Sequence, residues 1–150
     1  MNVPHFEQEL SYSCLPACVR MVVAYYGRDI SEAELRTLLK TRISGTSPVQ
    51  VMLRLPEIGF DAVVQTASLS VLQQHLENGR PCIVHVWTEL LPHWQDSVIH
   101  AATIVELTES HVLINDPAFS NASIMISREV FFQAWSATDH MMLVIQPYNK

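Results

Sequence analysis

The hydrophobic pattern of this chain changes period about half-way along. Up to about residue 80 most apolar residues recur at helical spacing, and beyond it they fall in β-branched runs bounded by turn residues. Helices first and mostly antiparallel strands afterwards argue an α+β domain. The expectation is of N-terminal helices packed on one side of an antiparallel sheet. At 150 residues the chain is long enough for one domain with a full core. No linker, repeat or low-complexity stretch divides it, so residues 1–150 read as a single domain.

The punctuation supports that reading. Residues 1–13 lack periodicity and read as an extended arm. From Cys14 to Tyr26, Leu15, Cys18, Val19, Val22, Val23 and Tyr26 fall on one helical face, and Gly27 stops the helix. Pro16 fits the first turn, where a missing N–H costs nothing. Ser31 and Glu34 form a capping box for a helix to about Lys40. Ser47 caps a third helix with Pro48 at its first position, and Pro56 should distort or end it. After Gly59 comes a strand over 60–65, then a helix capped by Ser68 or Ser70 that ends at Asn78 and Gly79. Strands follow from Pro81 to Trp87, Val98 to Leu107, His111 to Asn115, Ala122 to Ile126 and Met141 to Ile145. A polar loop spans 88–97, and Ser127 starts a short helix to about Trp135.

Several function classes are excluded at once. The net charge is -6 and no basic stretch exists to follow a phosphate backbone, so no nucleic-acid partner is expected. Apolar runs are short and interrupted, so no membrane span is expected. The first residues have neither a basic nor an apolar signal region. Three cysteines, an odd number, do not make a disulfide framework, and a reducing, cytoplasmic location is the simplest reading.

The chemistry gathers around Cys14. A cysteine is ordinarily a small buried hydrophobe. This one follows Ser11, Tyr12 and Ser13 and opens a helix, where oriented peptide dipoles favour the thiolate. A nucleophilic thiol needs a base. Among seven histidines, His5 and His140 lie near the chain ends, His75 on a polar helix face, His85 inside a strand, His93 in the loop and His111 at a strand start. His100 differs because it leads into the apolar run Ala101 to Val105, so the strand can fix it while its ring faces a cleft. Asp116 precedes Pro117, which first of all makes a turn. The hairpin between the 98–107 and 111–115 strands places residue 100 roughly opposite 117 or 118, so the Asp116 carboxylate can orient the imidazole. Gln8, six residues before Cys14, can donate its amide to an oxyanion beside the Cys14 N–H. Cys18 and Cys82 read as core residues, because no further ligand pair offers a metal site. Trp87 and Trp94 border a candidate substrate groove. No metal or other cofactor is called for.

Together these residues resemble the bacteriocin-processing cysteine peptidases, papain-like domains that cut leader peptides after a double glycine. The resemblance runs over nearly the whole chain. It is carried by Val3, Pro4, His5 and Phe6 leading to Gln8, by Cys14, and by the helix ending Tyr25, Tyr26 and Gly27. It continues through Ser47 and Pro48, Gly59, Pro81 to Val84 leading to His100, Asn115 to Ala118, and Phe131 with Trp135 before the last strand. The resemblance implies a papain-like fold, Cys14 as nucleophile, His100 as base, Asp116 as its orienter and Gln8 as oxyanion donor. It implies a peptide or protein substrate, with a leader peptide as one instance, and a separate ABC transporter as a partner. Where the family has Asp-Cys-Gly this chain has Ser13, Cys14 and Leu15, and a bulky Leu15 bears on double-glycine specificity. The expected function is therefore a stand-alone cysteine peptidase. A non-catalytic peptide-binding domain and an acyltransferase using the same three residues are the alternatives.

Overall fold

The computed structural model describes residues 1–148. Six strands make one antiparallel sheet: β1 (Phe60–Thr66), β2 (Cys82–Trp87), β3 (Ile99–Leu107), β4 (His111–Asn115), β5 (Ile124–Ser127) and β6 (Met141–Pro147). Their spatial order is β1-β6-β2-β3-β4-β5, so the last strand threads between β1 and β2. Five helices accompany the sheet: α1 (Cys14–Tyr25), α2 (Glu32–Leu38), α3 (Pro48–Arg54), α4 (Leu69–Glu77) and α5 (Arg128–Ser136).

Local signals set most of these boundaries. The Ser31, Ser68 and Ser127 hydroxyls each accept from the N–H three residues on, starting α2, α4 and α5. Ser47, expected to cap α3 in the same way, makes no side-chain cap. The Gln50 N–H that its hydroxyl would have bound turns instead to the Ser47 carbonyl, 3.0 Å away. Pro56 does not break the chain direction. It tightens the end of α3 into a 3-10 turn over Leu55–Ile58, which Gly59 closes at φ 92°. That left-handed conformation suits glycine because a Cβ would crowd the following peptide.

The helices lie on both faces of the sheet, which corrects the expectation of one covered side. α1, α2 and α3 share a core with Phe60, Ile83, Ala101, Leu143 and Ile145. α4 and α5 cover the other face, where Leu72, Phe131 and Trp135 meet Cys82, Val84, Ala102, Ile104 and Val144. The cause is visible in β2, whose Cys82, Ile83 and Val84 are all fully buried. An uninterrupted apolar strand has no face to give to water.

Two placements matter for function. α1 packs across β3, which brings its first residue to the start of that strand. β3 and β4 pair with Thr103 opposite Asn115, and an irregularity between Ile104 and Glu106 absorbs one residue. Carried past Asn115, this register sets residue 100 opposite 118, so Asp116 becomes its diagonal neighbour.

Trp135 anchors the second face, fully buried with its indole N–H donating to the Met141 carbonyl at 2.9 Å. Trp135→Ala should cost about 3–5 kcal/mol of stability. The urea midpoint should fall accordingly, and an unchanged midpoint would refute this role for α5.

Candidate active site

Cys14 is the first residue of α1 and is partly exposed. Ser13 supplies no side-chain cap, and Pro16 in the first turn has no N–H, so the helix start is left to other partners. His100 and the backbone amides of Leu15 and Ala101 surround the sulfur closely enough to act on its charge. Burial raises the Cys14 pKa, but the hydrogen bond and charge of His100, with these two amides, bring it below its ordinary value.

His100 is 4% exposed and shares its ring between two partners. Its Nε2 donates to Asp116 Oδ1 at 2.7 Å, which leaves Nδ1 as the nitrogen for the sulfur. Burial alone would lower the His100 pKa, yet its hydrogen bonds to Asp116 and Cys14 raise it to about 9. Both shifts run in the same direction and favour the proton on the imidazole, as a thiolate–imidazolium pair.

Asp116 has no exposed surface. Burial opposes its charge, but hydrogen bonds from His100, His93 and Trp94 hold its carboxyl well below the usual carboxylate range. Oδ1 accepts from His100 and, at 3.0 Å, from the Ala118 N–H. Oδ2 accepts from Trp94 Nε1 at 2.8 Å and from His93 Nε2 at 2.9 Å. The turn role expected of an Asp-Pro step and the orienting contact to the imidazole coexist in one side chain. Trp94 also lies against the His100 ring, with centroids 4.7 Å apart, and meets Phe119 edge-on.

The segment joining Gln8 to Cys14 is held from two sides. The arm before it is tied to the turn after β4. Asn115 Nδ2 donates to the Val3 carbonyl, His5 Nε2 to the Phe119 carbonyl, and the Gln8 N–H to the Pro117 carbonyl at 2.7 Å. On the other side stands Glu32, 1% exposed on α2. It accepts from the Glu9 N–H at 2.9 Å, from the Ser13 hydroxyl at 3.1 Å and from Arg36. The Ser13 hydroxyl also accepts from the Leu10 N–H and meets the Leu10 carbonyl, each at 3.0 Å, so its one proton is shared between that carbonyl and the buried carboxylate.

Two cavities meet at the sulfur, and Cys14, Ser44, Gly45 and Ile99 border both. One, of about 480 Å³, is lined by Gln8, Tyr12, Trp94 and His100. The other, of about 510 Å³, is lined by Leu15, Pro48, His85, Asp139 and Met141. Gln8 thus reaches the cleft, with one amide hydrogen donated to the Leu10 carbonyl at 2.8 Å and the second left over. Trp87 does not reach it. Its indole turns to Glu89 Oε2 at 3.1 Å and it lines neither cavity, so the structure does not bring it together with Trp94 at the sulfur.

Burial and the nearby positive His100 lower the His85 pKa to about 4, so this ring is neutral. Burial pushes the Cys18 thiol well up and the Cys82 thiol to about 12, as befits core residues. Among the described residues, no group of three His, Cys, Asp or Glu side chains is arranged to hold a metal.

Sequence reasoning missed His93 and Glu32. The first left no signal beyond its neighbour Trp94. The second sat among the ordinary acidic residues of a helix start.

The family model described as the peptidase C39 family matches residues 2–150. The chain belongs to the peptidase C39 family. As a C39 member it is a cysteine peptidase. It is 28% identical over 138 residues to the pediocin PA-1 transport/processing ATP-binding protein PedD of Pediococcus acidilactici, covering 91% of this chain and 18% of that protein. The chain spans less than a fifth of the length of the transport/processing ATP-binding proteins it matches. Its fold is that of the peptidase domain of Streptococcus ComA, a bifunctional ABC transporter involved in quorum sensing. There the TM-score is 0.81 with 24% identity, over 98% of this chain and 100% of that one. It is also that of a double-glycine-motif protease from an AMS/PCAT transporter, solved with a leader peptide. The TM-score is 0.74 with 20% identity, over 98% of this chain and 93% of that one.

The lowered thiol pKa has a direct readout. Alkylation of Cys14 by iodoacetamide should reach its plateau well below the ~8.5 midpoint of a free thiol. His100→Ala should move the midpoint upward, and a wild-type midpoint at the free-thiol value would exclude the ion pair.

Proposed function

We propose that this C39 domain hydrolyses peptide bonds through an acyl-enzyme on Cys14. The observation that supports this most is a helix-start thiol and His100 lining one cleft, with His100 bonded to a buried carboxylate. Thiolate and imidazolium are both favoured in that arrangement.

In the proposed sequence the Cys14 sulfur attacks the scissile carbonyl carbon, and the C=O electron pair moves to oxygen. The second amide hydrogen of Gln8 and the Cys14 N–H stabilise that oxyanion. The imidazolium of His100 gives its proton to the leaving nitrogen, the C–N bond breaks, and a thioester remains. Neutral His100 then takes a proton from water, whose oxygen attacks the thioester carbon. The C–S bond breaks, and the acid product leaves behind the thiolate. Asp116 keeps its charge throughout and orients the imidazole.

Proton transfer also fixes a direction along the cleft. The leaving amine must meet His100, so the C-terminal part of the substrate occupies the cavity lined by Gln8, Trp94 and His100. The acyl part takes the cavity lined by Leu15, His85 and Met141.

The substrate class we favour is a leader peptide. PedD is named for both transport and processing, and one solved fold relative is a double-glycine protease bound to a leader. In this reading the domain acts in the cytoplasm, with an ABC transporter as its partner. The three unpaired thiols fit a reducing compartment. A peptide-library cleavage profile would set the acyl-side preference beside Leu15, and a profile without small acyl-side residues would exclude double-glycine specificity.

Cys14→Ala should abolish cleavage and thioester formation while the fold persists, and retained turnover would overturn the proposal. Gln8→Ala should lower kcat by about 10²–10³-fold with a smaller change in KM. The pH profile should rise as the thiolate forms and fall as His100 loses its proton near pH 9. A plateau held well above that pH would show that the imidazolium is not the proton donor.

A further inference from the structure

His93 sits in the segment between β2 and β3 that the sequence marks as a plain polar loop. This segment is not slack. Thr88, fully buried, closes it by donating its hydroxyl to the Asp96 carbonyl at 2.6 Å and accepting from the Val98 N–H at 2.8 Å. The closed loop sets the His93 ring edge-on to Phe119, 5.0 Å between centroids, and aims Nε2 at Asp116 Oδ2.

An ionised carboxylate only accepts, so all four of its partners donate, His93 included. Two donors on each oxygen fill the lone-pair sites of a carboxylate that has no exposed surface. His93 Nδ1 is itself buried with no partner. A residue kept only to fill space against Phe119 would be less costly without a polar ring. What the ring adds is one N–H on the oxygen that His100 does not use.

We infer that His93 is a positioning residue of this site, acting through Asp116: its Nε2–H pins the second carboxylate oxygen and so fixes the first against His100. The inference rests on the reading of Cys14, His100 and Asp116 given above. Without His93 a buried lone pair loses its donor, the negative charge of Asp116 is less well supported, and the imidazolium is held less firmly. The thiolate of Cys14 then forms at higher pH, although His93 is not a neighbour of the sulfur in the cleft.

Two variants separate the donor from the ring. His93→Phe keeps the packing on Phe119 and removes the N–H, whereas His93→Gln keeps a donor near Nε2 and removes the ring. The first readout is the pH dependence of Cys14 alkylation by iodoacetamide, followed at that residue by mass spectrometry. The second is kcat and KM on a cleaved peptide. His93→Phe should shift the alkylation midpoint upward by about one unit and lower kcat roughly tenfold with KM unchanged. His93→Gln should stay close to the wild type.

A wild-type midpoint in His93→Phe, or equal damage in both variants, overturns the inference. Should His93→Phe fail to fold, the 15N spectrum of the wild-type imidazole decides. Nε2 must carry a proton at pH 7, and a bare Nε2 overturns the inference. The His100→Ala control keeps the two readings apart. If it leaves the alkylation midpoint unmoved, the Cys14–His100 pair itself fails, whatever His93 does.

Discussion

A carboxylate removed from water at the turn after β4 is the constraint around which this molecule is arranged. Charge in a buried site is costly unless every lone pair finds a donor. Asp116 meets that requirement with donors from three parts of the chain: His100 on β3, His93 and Trp94 in the segment before it, and the Ala118 amide of its own turn. Each of those parts is fixed elsewhere. β3 is clamped between helices on both faces, the segment is closed by Thr88, and the turn is stitched to the N-terminal arm. The carboxylate thus orders groups far apart in sequence, and the charge it keeps is passed to His100 as a raised proton affinity.

The same turn governs the other half of the site. The Pro117 carbonyl holds the Gln8 amide group of the backbone, one residue beyond the carboxylate. Gln8 and the His100–Asp116 pair are therefore referenced to one short stretch, and the segment leading from Gln8 to Cys14 is braced by Glu32 on α2. Groups that must agree in position share a common anchor rather than each being placed alone.

What the sequence revealed and what it hid follow from the range of the forces involved. Caps at Ser31, Ser68 and Ser127 act within four residues, so local reading finds them. Ser47 misled because the Gln50 N–H turns to its carbonyl and leaves its hydroxyl unused as a cap. The diagonal meeting of residues 100 and 116 was legible from a hairpin count, since pairing across a short turn is nearly local. Which face each helix covers was not, because α4 and α5 carry no mark of the side they choose. The fully apolar Cys82, Ile83 and Val84 were the one clue that both sides needed cover. His93 and Glu32 stayed hidden because the site partners that matter lie 23 residues away for the first and, Arg36 apart, 19 to 23 for the second. Trp87 went the other way: an aromatic next to a cleft strand, it found a local carboxylate instead.

The hydroxyl at residue 13 limits what this position can hold. It lies against the Glu32 carboxylate in a place with no room for solvent. An acid here would set two carboxylates against each other, and one of them would have to take a proton or draw Arg36 away from the other. The segment that presents the thiol therefore rests on a neutral side chain, and its position does not depend on balancing a second buried charge.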